Sequence, residues 1–113
     1  MRNRPEFHIA DLAVLCCGAT PVSIYNSSAP DQIEYLAGHC NAVVAIVEDE
    51  TYYERFVSVH ESLPNLRSIV TIDSVTAAPG IDTHAWSDMC MHEPVDLDAA
   101  CAIANADDLA TII

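Results

Sequence analysis

The side chains able to do chemistry fall into a few groups along the chain. The first is the acidic run Glu48-Asp49-Glu50, directly after the apolar stretch Val44 to Val47. Carboxylates at the end of a strand can hold a divalent cation through hard oxygen ligands. A phosphoryl-transfer pocket of that kind also needs a later strand ending in an acceptor aspartate and another delivering a lysine. The nearest suitable aspartate, Asp88, falls in a stretch without strand character, and no lysine occurs anywhere. The positive end of a helix dipole accounts for all three acids without a ligand.

Cys90, His92 and Cys101, with His84 nearby, are four side chains of zinc-binding type. Cys-x-His followed by a single cysteine nine residues later matches no common structural zinc spacing. Cys16 and Cys17 adjoin on an apolar stretch, where cysteine acts as a small hydrophobe, so both are expected in the core. His8, His39 and His60 stand in no ordered arrangement with serine, cysteine and acid, which leaves them surface or helix-end roles. Trp86 and Met89, three apart, suit a small packing cluster. No catalytic, cofactor-binding or metal-ligating residue is assigned on these grounds.

Composition narrows the classes further. The 113 residues suit a single domain spanning 1–113, and with 51% hydrophobic and 19% charged residues the chain should fold around a core. Seventeen acids face four basic residues, all arginine, for a net charge of −13. Such a surface repels phosphate backbones and anionic lipid, so no nucleic-acid partner is expected. Without lysine there is no Schiff-base chemistry and no phosphate-loop lysine. With only Gly18, Gly38 and Gly80, no glycine-rich loop can bring backbone N–H groups to a phosphate. No apolar run approaches the roughly 18 residues of a membrane span. The five cysteines are odd in number and follow no signal peptide, which points to reduced thiols in a cytoplasmic protein.

The elements that would position these groups read as follows. Asn3 as cap, Pro5 and Glu6 open a helix over Arg4 to Cys17, with Phe7, Ala10, Val14 and Cys17 at helical spacing and Gly18 as its left-handed stop. Thr20 to Tyr25 is β-branched and aromatic, and is expected as a short strand. Ser28 and Asp31 form an acidic capping box for a helix that turns Ile33, Leu36, Ala37 and Cys40 to one face and ends at Asn41. Ala42 to Val47, six apolar residues without alternation, suits a strand buried on both faces. The acids then open a helix with Tyr52, Phe56, Val59 and Leu63 on one side, stopped by Pro64. Arg67 to Ile72 is a third strand. Ala77 to Gly80 is a loop, followed by short helices near Thr83 to Met91 and Leu97 to Asn105, the latter capped by Asp96. Leu109 to Ile113 is a fourth strand. Strands separated by helices imply an α/β fold with a parallel sheet of about four strands and helical crossovers.

Three segments carry a more specific signal: Asn-Arg-Pro-Glu-Phe at 3 to 7, Gly-Ala-Thr-Pro-Val-Ser-Ile-Tyr-Asn-Ser-Ser-Ala-Pro-Asp-Gln-Ile at 18 to 33, and Asp-Asp-Leu-Ala-Thr-Ile-Ile at 107 to 113. In order and spacing they resemble AMP-forming fatty-acid–CoA ligases of the adenylate-forming superfamily. Leu63 to Asp73 is similar to the third strand of that family's N-terminal region. The resemblance implies a partial N-terminal subdomain of the adenylate-forming fold. It also implies a parent reaction in which a fatty-acid carboxylate attacks the α-phosphate of ATP and the CoA thiol then displaces AMP, with Mg2+ as the metal.

In that family the segment matching Asp107 to Ile113 leads into a phosphate loop ending in Pro-Lys-Gly. By the resemblance, that loop, the adenine-binding motif, the magnesium-binding acid, the ribose-binding aspartate and the lysine-bearing C-terminal domain all fall outside these 113 residues. The expectation is therefore a ligase fragment that binds no cofactor alone and is not catalytically competent. The alternative is a non-enzymatic α/β module that associates with itself or with a partner carrying the remaining ligase portion.

Overall fold

The computed structural model describes residues 1–112 and divides into two compact units, Met1–Arg2 with Ile24–His92, and Asn3–Ser23 with Glu93–Ile113, of which Ile113 lies outside the described residues.

The first unit holds α2 (Pro30–His39), β1 (Val44–Val47), α3 (Glu50–Val57), a 3-10 turn (His60–Ser62), β2 (Ser68–Thr71), β3 (Asp82–Ala85) and α4 (Trp86–Met89). Its three strands form a parallel sheet in the order β1-β2-β3, with Ala45 paired to Ile69 and Ile69 to Thr83. The expected α/β class with a parallel sheet is present. Its third strand is Asp82–Ala85, overlapping the stretch expected to be helical from Thr83; the helix there is confined to Trp86–Met89. Asp-Thr-His-Ala has no apolar run to announce a strand. Pairing along the free edge of β2 satisfies its backbone, and tertiary context prevails over propensity.

The core lies on the sheet face that carries Ala45, Val47 and Ile69, covered by Ile33 and Ala37 of α2, Tyr53 of α3, and Val59, Leu63 and Leu66 of the chain leading to β2. Within α2, Ile33 and Ala37 of the expected face are buried and Cys40 is half-buried, whereas Leu36 is 37% exposed and lies at the margin of that face. The helix start differs from the expected one. Pro30 occupies N1, Ala29 is the cap in place of Ser28, and Gln32 Oε1 accepts the Ala29 N–H at 3.0 Å. In α3 the buried residue is Tyr53, with Tyr52 and Phe56 only partly covered, and the helix ends at Val57 rather than continuing to Pro64. β2 is buried through Ile69, Val70 and Thr71. β1 is an edge strand with Val44 50% exposed, so the six-residue apolar run is not enclosed on both faces.

The second unit holds α1 (Pro5–Cys16) and α5 (Leu97–Cys101). Arg4, not Asn3, is the residue at the cap of α1, with Pro5 at N1. Asp96 caps α5 as expected, accepting the Ala99 N–H at 3.1 Å, though α5 stops at Cys101. The expected strands Thr20 to Tyr25 and Leu109 to Ile113 reduce to one parallel bridge between Val22 and Ile112, and Ile113 falls outside the described residues.

Two helices end in the same local geometry. Gly18, at φ +69°, lets its N–H reach Leu15 O and the Ala19 N–H reach Val14 O. Asn41, at φ +53°, does the same for α2, its N–H donating to Gly38 O and the Ala42 N–H to Ala37 O. Left-handed residues just past a helix satisfy its last carbonyls in this way, and Gly and Asn adopt that conformation at least cost.

Candidate functional site

In open parallel sheets the carboxyl ends of the strands are where ligands bind, so the chemistry of this chain is sought first where β1 and β2 end. The sheet delivers Glu48 and Asp49 there from β1, and Asp73 follows β2. The Asp73 N–H donates to Glu48 O at 2.8 Å, which fixes the two strand ends together.

The acids are engaged within the chain. Arg2 donates its backbone N–H to Glu48 Oε2 at 2.6 Å and its Nε to Glu48 Oε1 at 2.8 Å, while its Nη2 reaches Asp49 Oδ2 at 2.6 Å. The Glu48 side chain is only 7% exposed, so a charged partner is required to hold it there. Asp49 Oδ1 accepts the Tyr52 N–H at 3.2 Å and caps α3. Glu50 accepts the Thr76 N–H at 3.0 Å, tying the loop after β2 to the start of α3. These acids start a helix and fasten loops, as their position after an apolar strand suggests. Arg2, 46 residues away in sequence, is the member that no local pattern could have indicated.

The first unit is also held by a second set of polar contacts. The Tyr53 hydroxyl accepts the Ala78 N–H at 2.8 Å and lies 2.9 Å from Thr83 Oγ1. Arg55 Nη1 donates to Asn26 O at 2.7 Å and Ser28 O at 3.1 Å, and its guanidinium stacks over Tyr52 at 5.1 Å from the ring centroid.

The remaining candidates are dispersed. His84 Nε2 lies 3.0 Å from Asp82 Oδ2 on β3. Cys90 and His92 are exposed, as is Asp88. Trp86 is half-buried and Met89 exposed, outside the core cluster. His8 meets Phe7 edge-on, and His39 stacks on Tyr35 with ring centroids 5.8 Å apart. Cys40 donates its thiol to Ala37 O at 3.5 Å. Cys17 is exposed rather than in the core; it is the cap residue just past the end of α1. Cys16 is half-buried, with its Sγ 4.0 Å from that of Cys101. Among the described residues no three of the His, Cys, Asp and Glu side chains converge in a way that could hold a metal ion. No helix among them is long and apolar enough to cross a membrane.

A nucleotide triphosphate or its magnesium ion does not fit this site. Both Asp49 oxygens and both Glu48 oxygens already accept hydrogen bonds. The strand ends are acidic, and the chain has no lysine to meet phosphate charge.

The fold is similar to part of a solved CoA ligase. The crystal structure of the anthranilate CoA ligase AuaEII in complex with anthranoyl-AMP superposes with a TM-score of 0.63 at 26% identity, covering 71% of this chain and 15% of that one. The chain belongs to the AMP-binding enzyme family, whose match spans residues 1–113. It is 38% identical over 72 residues to the peroxisomal acyl-CoA ligase 891 of Penicillium brevicompactum, covering 64% of this chain and 10% of that protein. It is 28% identical over 111 residues to the long-chain-fatty-acid–CoA ligase FadD15 of Mycobacterium bovis, covering 98% of this chain and 18% of the relative. The chain thus spans between 10% and 18% of the length of these two ligases.

Proposed function

We propose that this chain is a scaffold portion of a long-chain fatty-acid–CoA ligase, one partial N-terminal AMP-binding domain over 1–113, and that it is catalytically silent alone. The parent reaction is ATP-dependent activation of a fatty acid to an acyl-adenylate, followed by thioester formation with CoA. The observation that carries this reading is the similarity to a long-chain-fatty-acid–CoA ligase along 98% of the chain. The strand-end acids, committed to Arg2, Tyr52 and Thr76, support a structural role for the residues nearest the ligand-binding end of the sheet. ATP, Mg2+ and CoA belong to the whole ligase in this reading, and none is bound by these residues.

The test is fatty-acid-dependent exchange between ATP and pyrophosphate. The isolated chain is expected to match a no-protein control, and exchange clearly above that control would overturn the reading. Mixing it with a ligase portion that begins at the phosphate loop separates the two forms of association. Restored exchange marks a split ligase, whereas complex formation without exchange marks a non-enzymatic module. We assign the chain to the cytoplasm on its reduced-thiol composition; the peroxisomal relative makes fractionation the measurement that decides between the two compartments.

A further inference from the structure

We propose that Cys16 and Cys101 are an oxidation site, forming a reversible disulfide that locks the end of α1 to the end of α5. Their sulfurs lie 4.0 Å apart although 85 positions separate them in sequence. Cys16 closes α1 and Cys101 closes α5, both in the second unit. The approach of the two segments does not rest on the thiols alone. A Cβ placed at Gly18 would come within 3.0 Å of Ile103 Cγ2, so the chain just past α1 already lies against the chain just past α5. Beyond that contact, Thr20 Oγ1 donates to Leu109 O at 2.8 Å and Thr111 Oγ1 to Pro21 O at 3.0 Å. A disulfide needs a sulfur separation of about 2 Å, so bond formation asks for a closure of about 2 Å.

The oxidant is a small aliphatic disulfide of the oxidised-glutathione class. Cys101 is exposed and reacts first: its thiolate attacks one sulfur of the oxidant, the oxidant's S–S bond breaks, and one glutathione thiolate leaves. Until then the hydrogen-bonded Cys101 thiol pushes the Cys16 pKa up, so Cys16 stays protonated. Conversion of Cys101 to the mixed disulfide removes that influence. The Cys16 thiolate then attacks the Cys101 sulfur and expels the second glutathione thiolate. Two protein thiols are oxidised by two electrons, one oxidised glutathione is reduced to two thiols, and those thiols take the two protons.

The experiment incubates the 113-residue chain with oxidised glutathione under native conditions, blocks free thiols, and maps linked peptides by mass spectrometry. Wild type and Cys17→Ser are expected to lose two hydrogens and yield a Cys16–Cys101 linked peptide that a reductant cleaves. Cys16→Ser and Cys101→Ser should lack that link and retain a glutathione adduct on the surviving thiol. In denaturing urea the same link should lose its preference over the other pairings of the five cysteines. A link that forms chiefly from Cys17 or Cys90, or stable glutathione adducts on both Cys16 and Cys101 of the folded wild type, would overturn the proposal. Because Cys17→Ser leaves the pair intact, a folding defect in the other variants does not decide the result.

Discussion

The Tyr53 hydroxyl lies 2.9 Å from Thr83 Oγ1, and this contact fastens α3 to β3, the strand with the fewest apolar residues. The same oxygen accepts the Ala78 N–H at 2.8 Å, so one buried side chain closes both the loop before β3 and the strand itself. Tyr53 is 1% exposed, and its ring fills the core while its hydroxyl serves this polar pair.

Replacing Tyr53 with Phe keeps the ring and strands the Ala78 N–H. The expected cost is about 1–3 kcal/mol, the usual penalty for a buried donor left unpaired. Urea unfolding followed by circular dichroism should show a lower midpoint with an unchanged slope. An unchanged midpoint would mean that water replaces the hydroxyl without loss.

On α2 the two candidate core leucine-type positions separate cleanly. Ile33→Ala should destabilise by about 2–5 kcal/mol, as for other buried aliphatic truncations. Leu36→Ala, on a side chain 37% exposed, should cost less than Ile33→Ala in the same denaturant series. The reverse order would show that the helix is turned the other way.

Asp49 both caps α3 and meets Arg2, and two substitutions distinguish the roles. Asp49→Asn keeps a cap and loses the charge pair, so its effect should be small. Asp49→Ala removes both and should cost about 0.5–2 kcal/mol, the range for a lost helix cap. Equal effects from the two variants would assign the stabilisation to charge alone.

Glu6 is expected to carry a pH effect whose sign follows from its partners. Hydrogen bonding from the Arg4 side chain, followed by its own backbone N–H, holds the Glu6 carboxyl below the ordinary glutamate range. A folded pKa lower than the unfolded one gives a contribution present above the unfolded value and lost as pH falls through the folded value. NMR titration should place Glu6 lower in wild type than in Arg4→Gln. Coincident titration curves would remove the pair from the account.

Self-association is expected to follow the open edge of β1. Val44 is exposed on a strand that, among the described residues, has β2 as its single neighbour, and the net charge of −13 opposes contact between copies until salt screens it to about 8 Å. Light scattering should rise with salt in wild type and less in Val44→Lys. Deleting 109–113 tests the Val22–Ile112 bridge as a second source, and a salt-independent monomer in all three would discount strand edges altogether.

The elements legible in the sequence are those with local causes. Gly18 and Asn41 announce helix ends through their own backbone preferences, Asp49 and Asp96 announce helix starts, and the apolar runs around Ala45 and Ile69 announce strands. β3 was not legible, because Asp82 to Ala85 is a strand only by virtue of the β2 edge beside it. Thr20 to Tyr25 shows the opposite case: β-branched residues with a single bridging partner do not make a ladder. At the candidate site the acids were legible as a helix start, while Arg2 was not, since a 46-residue separation leaves no periodic trace.

The strand order β1-β2-β3 follows the chain, and this has a bearing on synthesis. Each strand finds its neighbour already made when it leaves the ribosome, so the sheet can grow by addition at one edge without waiting for distant sequence. The α1 segment meets α5 later, because the thiol that Cys16 approaches lies 85 positions further on. Ordering should therefore proceed from the sheet first to the α1–α5 contact last, and a translation pause after β3 would leave the sheet formed and α1 still without α5.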